Sequence, residues 1–191
     1  MPVSNLFIKN ILNHIRLLNR YEEDDIDVIR YSLEAIMWEV EKIIILVLVF
    51  ALMGYLDYFL ITFLVVIPIR VLAGGYHSQT AISCLSITFM GFFLAIIVMP
   101  KLPLTPGWII ALAAFSLVVT LIAAPMYPLE RAALIKTDNN GKKKVFVLVI
   151  TALWLLLIFI YHGHPYAYPA LAIIVLQNVQ LLFEYLKRRW K

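Results

Sequence analysis

The chain has 191 residues, of which 63% are hydrophobic and 15% are charged, with a formal net charge of +4 at pH 7. A soluble domain carries roughly 25% charged residues, so the composition excludes a soluble protein and predicts one that is solvated by lipid. The charge is small and clustered beside apolar segments, which argues against nucleic-acid binding. The single cysteine, Cys84, excludes an intrachain disulfide.

The first 42 residues predict amphipathic helices at the membrane surface. They lack the apolar h-region of a signal peptide. A first set of apolar residues recurs at helical spacing: Phe7, Ile11, Ile15 and Leu18. After an acidic run at 22–25, a second helix is predicted by another stripe: Ile26, Ile29, Leu33, Ile36 and Val40. We expect residues 1–42 to lie at the cytoplasmic interface, and a docking surface for a partner peptide is the alternative.

Five apolar runs follow, at residues 43–69, 84–99, 108–124, 145–161 and 166–183. Each of the last four approaches the roughly 20 residues that cross a hydrocarbon core. The first run fits either one long tilted span or a hairpin of two short spans that turns near residues 54–57. With the hairpin there are six spans, and 15 of the 16 basic residues lie on one side with both termini. The positive-inside rule favours this arrangement and makes that side cytoplasmic.

The predicted fold is therefore all-α: a polytopic membrane protein with six transmembrane helices preceded by amphipathic interfacial helices. Residues 1–42 would form the interfacial part and residues 43–191 the membrane domain. We expect the protein in the cell membrane, with both termini in the cytoplasm.

Reactive side chains cluster in residues 70–84, which join the second predicted span to the third on the cytoplasmic side. Gly74 and Gly75 would allow the chain to turn there. His77 and Cys84 lie seven residues apart, which is about 10.5 Å along a continuous helix. A base must come within roughly 3 Å of its nucleophile, so a catalytic pair requires a break in the helix between them. The alternative is that Cys84 is an ordinary apolar thiol.

The pattern Arg70-x4-Gly75-x-His77-x6-Cys84 resembles the signature of the accessory gene regulator B (AgrB) family, and the similarity extends along nearly the whole chain. The resemblance implies a membrane cysteine endopeptidase that removes the C-terminal tail of an AgrD-type precursor through a thioester on Cys84. The precursor would then cyclise to an autoinducing peptide for quorum sensing. By similarity His77 and Cys84 are the catalytic pair, Arg70 and Gly75 are supporting positions, and the enzyme is a homodimer without a cofactor.

Other features leave alternatives open. The cluster Lys142-Lys143-Lys144 would set the topology and contact anionic lipid, or it would attract an acidic tail on the precursor. No metal site is predicted, because His162 and His164 alone supply too few ligands. The residues considered for orienting His77 are Ser78, Gln79 and, if the hairpin turned elsewhere, Asp57. The polar side chains of the last span should pack inward or against a second subunit: Gln177, Asn178 and Gln180.

Two rival functions follow from the same sequence. One is a small membrane transporter with polar groups lining a pathway, and the other is a non-catalytic membrane scaffold. Loss of activity with retention of the fold in a Cys84→Ala variant would separate the peptidase from both.

Overall fold

The structure, a computed structural model, describes residues 2–17, 23–74, 80–103, 105–126 and 140–190. Most of these residues are helical and none lies in a β-strand, which confirms the all-α prediction. The helices are α1 (Pro2–Leu17), α2 (Glu23–Leu52), α3 (Leu56–Ala73), α4 (Ala81–Phe93), α5 (Pro106–Ala123), α6 (Asn140–Ile160) and α7 (Ala167–Arg189). The chain divides into two compact units, Met1–Val49 and Phe50–Lys191.

In the first unit, α1 packs against the N-terminal half of α2. Ile8 and Leu12 are buried together with Ile26, and partly buried side chains extend the contact to Met37. The predicted α2 stripe instead continued through Ile36, which is 58% exposed. At 3.6 residues per turn, Met37 lies about 20° from Ile26 around the helix and Ile36 about 80° away. The packed face is therefore as wide as the predicted one but rotated by about 20° around the helix.

The second amphipathic helix does not end near residue 42. It continues without a break to Leu52, because nothing between Glu39 and Leu52 interrupts helical backbone hydrogen bonding, and the segment has neither glycine nor proline. Lys42 is buried and its ammonium lies 2.6 Å from the carboxylate of Glu39, one turn earlier.

The chain turns where the hairpin was predicted. α2 ends at Leu52, Gly54 adopts φ +75°, and α3 starts at Leu56. The rings of Phe50 and Phe59 stack across the turn with centroids 5.1 Å apart. The phenyl rings therefore pair the last turn of α2 with the first turns of α3.

Within the described part of the chain, five helices are long and apolar enough to cross a membrane: Leu56–Ala73, Ile82–Lys101, Pro106–Ala123, Gly141–Ile160 and Ala167–Arg189. Four of them confirm the four later runs of the sequence, and the fifth is the second arm of the hairpin. The sixth predicted span would be the end of α2. Its apolar part, 43–52, is about 15 Å long and is preceded by Glu39, Glu41 and Lys42. The sixth span therefore stays a prediction.

The membrane-spanning helix α7 lies at the centre of the second unit, in contact with α3, α5, α6 and the π-helical turn Leu94–Val98 that extends α4. Its mean hydropathy is 1.4, against 2.1 to 2.4 for the other four spans, yet half of its most apolar stretch is buried. The most polar span is thus the one most sheltered from lipid, as expected where polar side chains are satisfied inside a helical bundle.

Candidate active site

The predicted catalytic loop, residues 70–84, joins the end of α3 to the start of α4. Arg70 and Cys84 belong to the part of the chain that the structure describes, whereas Gly75 and His77 lie outside it. The catalytic pair therefore stays a prediction. The described residues show how both ends of the loop are held.

Cys84 lies at the beginning of α4. Thr80 precedes this helix in an extended conformation, with φ −121° and ψ 143°, and its hydroxyl oxygen accepts a hydrogen bond from the Ser83 N–H at 3.3 Å. The Cys84 N–H donates to the Thr80 carbonyl at 3.0 Å, and the carbonyl of Cys84 accepts from the Thr88 hydroxyl at 2.8 Å. The Cys84 side chain is partly buried. Because the helix begins only at Ala81, the requirement for a break between residues 77 and 84 is met.

Arg70, in the last turn of α3, is held by α7. Its Nη1 donates to Oε1 of Gln177 at 3.2 Å and to Oε1 of Gln180 at 3.3 Å. A cation near a helix C-terminus also interacts favourably with the helix dipole. Among the described residues, these two amide oxygens are the side-chain groups that bind Arg70, and both are neutral.

Gly74, which ends α3, occupies a backbone conformation that only glycine adopts readily. Its φ is +77° and its ψ is −157°. The segment that follows α5 passes extremely close: a Cβ atom on residue 74 would lie 1.8 Å from the carbonyl oxygen of Met126. The Met126 N–H donates to the Ala73 carbonyl at 2.7 Å, so the segment after α5 is bound to the end of α3.

Gln177 of α7 also contacts the end of α3. Its Nε2 donates to the carbonyl oxygen of Gly74 at 2.8 Å, while its Oε1 accepts from Arg70. The α3 end of the loop is therefore fixed by α7 and by the segment after α5, and the α4 end by the cap of Thr80.

Asp57 is excluded from orienting His77. The hairpin turns where predicted, so Asp57 lies in the first turn of α3, about 20 Å along the helix from Arg70. Its carboxylate accepts a hydrogen bond from the Tyr166 hydroxyl at 2.7 Å, which raises the pKa of Tyr166 because the phenol donates to a carboxylate. The pair connects the hairpin turn to the loop before α7.

The lysine cluster opens α6. Lys142 is exposed, and Lys143 and Lys144 are partly buried. Whether these side chains contact lipid or a precursor tail stays a prediction. The other basic feature considered for a site, the pair at 162 and 164, lies in the loop before α7, where His162 contacts the carbonyl of Phe159 through Nδ1 at 3.0 Å. The described residues hold no group of three or more metal-binding side chains.

The partners of Arg70 were not identified from the sequence. The inward packing of the last span was predicted correctly, since Gln177 and Asn178 are 3% and 1% exposed. Asn178 accepts a hydrogen bond from Thr120 at 2.8 Å. Gln177 and Gln180 are three residues apart and so lie on one face of α7. That spacing could have indicated that the two amides bind the same partner.

Comparison with known proteins gives a single family. The model of the accessory gene regulator B (AgrB) family matches residues 4–183. A Clostridium beijerinckii protein described as AgrB-like is 30% identical over 137 residues, which cover 71% of this chain and 67% of that protein. No solved structure matches the chain significantly.

Proposed function

The chain belongs to the accessory gene regulator B (AgrB) family, and we propose that it is the membrane cysteine endopeptidase that processes an AgrD-type precursor peptide. Membership of the family connects the protein to the agr quorum-sensing system, to peptide processing and to a peptide precursor as partner. Its apolar helices make it a multi-pass membrane protein. The peptidase activity, its residues and its product are the proposal.

In the proposed reaction the thiol of Cys84 is the nucleophile and His77 is the base. His77 takes the thiol proton, and the sulfur attacks the carbonyl carbon of the scissile peptide bond of the precursor. The imidazolium then gives its proton to the leaving amine, the C–N bond breaks, and the C-terminal tail departs. The N-terminal part of the precursor remains as a thioester on Cys84.

Cyclisation follows from the same thioester. A thiol or hydroxyl group within the precursor attacks the thioester carbonyl, the bond to Cys84 breaks, and the thiol of the enzyme is regenerated as the ring closes. A thioester is more reactive than an amide, so attack by water competes with this step. A partly buried nucleophile at the end of a membrane span limits that competition.

The position of Cys84 is the observation that carries the proposal. It lies in the first turns of a transmembrane helix, after an extended threonine that caps the helix, rather than within the apolar middle of the span. A helix N-terminus stabilises negative charge, such as that of a thiolate or of the oxyanion formed during acyl transfer. Thr80 is the last residue of the loop that carries His77. Only a short segment therefore separates the proposed base from the nucleophile, and a turn in that segment would bring His77 to Cys84.

The other motif residues receive supporting roles. Arg70 supplies a fixed positive charge at the end of α3, beside the start of the loop, where it would stabilise a developing oxyanion. Gly75 would give the loop its turn. Lys142, Lys143 and Lys144 would contact an acidic tail of the precursor, and the enzyme would act as a homodimer with its loop and both termini in the cytoplasm.

The test is cleavage of the AgrD-like precursor encoded nearest this protein's gene, measured in proteoliposomes. We expect the wild type to release the tail and Cys84→Ala to release none. Ser86→Ala is the matched control, because Ser86 is exposed two residues further along α4 and the substitution is equally small. Unchanged processing by Cys84→Ala would overturn the peptidase proposal and favour a transporter or a scaffold.

A further inference from the structure

The side chain of Gln177 hydrogen-bonds to two groups of the proposed site, and both groups lie at the C-terminal end of α3. One end of its amide binds the guanidinium of Arg70, and the other end binds the backbone carbonyl of Gly74, at 3.2 and 2.8 Å. Both contacts run from the centre of α7 to the last turn of α3. The amide therefore uses both its acceptor and a donor to fix one side chain and one backbone group relative to each other.

Packing alone would favour an apolar side chain at the position of Gln177. Its side chain is 3% exposed, and buried apolar residues precede and follow it on α7: Ile173, Ile174 and Leu181. A buried amide costs free energy unless its polar atoms are hydrogen-bonded, and an apolar side chain would fill the same space without that requirement. The two hydrogen bonds to α3 are the contacts that satisfy it.

Arg70 gains a defined position from this arrangement. A guanidinium on a flexible side chain loses conformational freedom when it stabilises the oxyanion of the transition state, and a prior hydrogen bond removes part of that cost. Gln180 contributes one further acceptor for Arg70 at 3.3 Å, whereas the side-chain hydrogen bond to the Gly74 carbonyl comes from Gln177. Gln177 is thus the residue that joins the cation to the start of the loop.

We propose that Gln177 is a positioning residue of the peptidase, which acts by holding Arg70 and the Gly74 carbonyl in the arrangement that catalysis requires. This inference rests on the proposed function, since it assumes that the loop beginning at Gly74 carries the catalytic base. It predicts that the residue affects turnover rather than binding of the precursor.

The first experiment compares Gln177→Met with Asn178→Leu in proteoliposomes containing the full-length protein. Met retains the length and volume of Gln without its hydrogen bonds. Asn178→Leu removes an equally buried polar group, whose oxygen accepts a 2.8 Å hydrogen bond from Thr120 of α5 rather than from α3. We expect kcat to fall about tenfold or more in Gln177→Met, as for loss of charge-assisted hydrogen bonds, with KM within about twofold of wild type.

The control variant should keep the wild-type kcat even if its thermal stability falls as much as that of Gln177→Met. Equal losses of kcat in the two variants would overturn the proposal, because they would show a general effect on the bundle. A wild-type kcat in Gln177→Met would overturn it as well. A wild-type protein that does not cleave the precursor would instead refute the proposed function.

A double-mutant cycle tests whether Gln177 acts through Arg70. Arg70→Lys keeps the charge but loses the geometry of the guanidinium. If the two residues act together, the double variant Arg70→Lys, Gln177→Met should be slower than Arg70→Lys by less than about threefold. A double variant whose loss of kcat equals the product of the two single-variant losses would contradict the inference. Gln180→Ala, which leaves the bond to Gly74 intact, should lower kcat less than Gln177→Met.

Discussion

Replacement of Gly74 by alanine should destabilise the protein more than the same substitution at any other glycine that the structure describes. The added Cβ would lie 1.8 Å from the Met126 carbonyl oxygen, so the backbone of one of the two segments must move. The glycine conformation itself, φ +77° and ψ −157°, costs another residue about 1–3 kcal/mol. Displacement of Met126 would also weaken its 2.7 Å hydrogen bond to Ala73, worth about 1 kcal/mol.

Together these effects predict a loss of about 3 kcal/mol for Gly74→Ala. For a chain of this size that corresponds to a fall in Tm of about 6–12 °C. Thermal unfolding of the purified protein in detergent, followed by circular dichroism or by the accessibility of its cysteine, measures the change.

Two other glycines provide matched controls. Gly54 has nearly the same φ, +75°, but a Cβ there would meet no atom within 4 Å. Gly54→Ala should therefore show the backbone strain without the clash, about 1–2 kcal/mol. Gly91 lies within α4 with no neighbour in reach, so Gly91→Ala should leave Tm unchanged or raise it. If Gly74→Ala and Gly54→Ala lower Tm equally, the close approach of Met126 to α3 does not stabilise the protein and the reasoning is wrong.

Two further predictions follow from the helix arrangement. Thr120→Val should destabilise the protein by about 1 kcal/mol, because Asn178 would lose its buried hydrogen-bond donor; an unchanged Tm would show that this contact contributes nothing. In a Cys84→Ala background, single cysteines at Lys9 and at Trp190 should react with a membrane-impermeant maleimide from the same side of sealed vesicles, as six spans require. Labelling from opposite sides would instead show that α2 does not cross the membrane.

Much of the fold was predictable because hydrophobic length and charge placement are local properties of the sequence. The hairpin turn at Gly54 and the four later spans were found from the apolar runs. The division of the chain near residue 42 stays a prediction, but the change from amphipathic to apolar composition there does not break a helix. That change lies within one continuous helix, Glu23–Leu52.

The candidate site was predictable in its residue types and less so in its contacts. The polarity of Gln177 indicated inward packing, but its partner Arg70 lies 107 residues earlier, and no local pattern relates the two. The pair Gly74-Gly75 indicated a turn, whereas the approach of Met126 depends on how the segment after α5 returns to α3. Both contacts depend on how distant segments pack together, and sequence periodicity does not show which segments those are.

The most direct test of the proposed mechanism is detection of the thioester by mass. A precursor whose ring-closing residue is replaced by alanine cannot cyclise, so the acyl-enzyme should accumulate. Cys84 is the single cysteine of the chain, and a thioester can therefore form only there. His164→Ala, in the loop before α7, is the control for His77→Ala.

The wild type and His164→Ala should gain the mass of the precursor's N-terminal fragment, and hydroxylamine should remove it. Cys84→Ala and His77→Ala should gain nothing and should release no tail. Tail release without an adduct, or an adduct of equal yield in His77→Ala, would contradict the assignment of Cys84 and His77 as nucleophile and base.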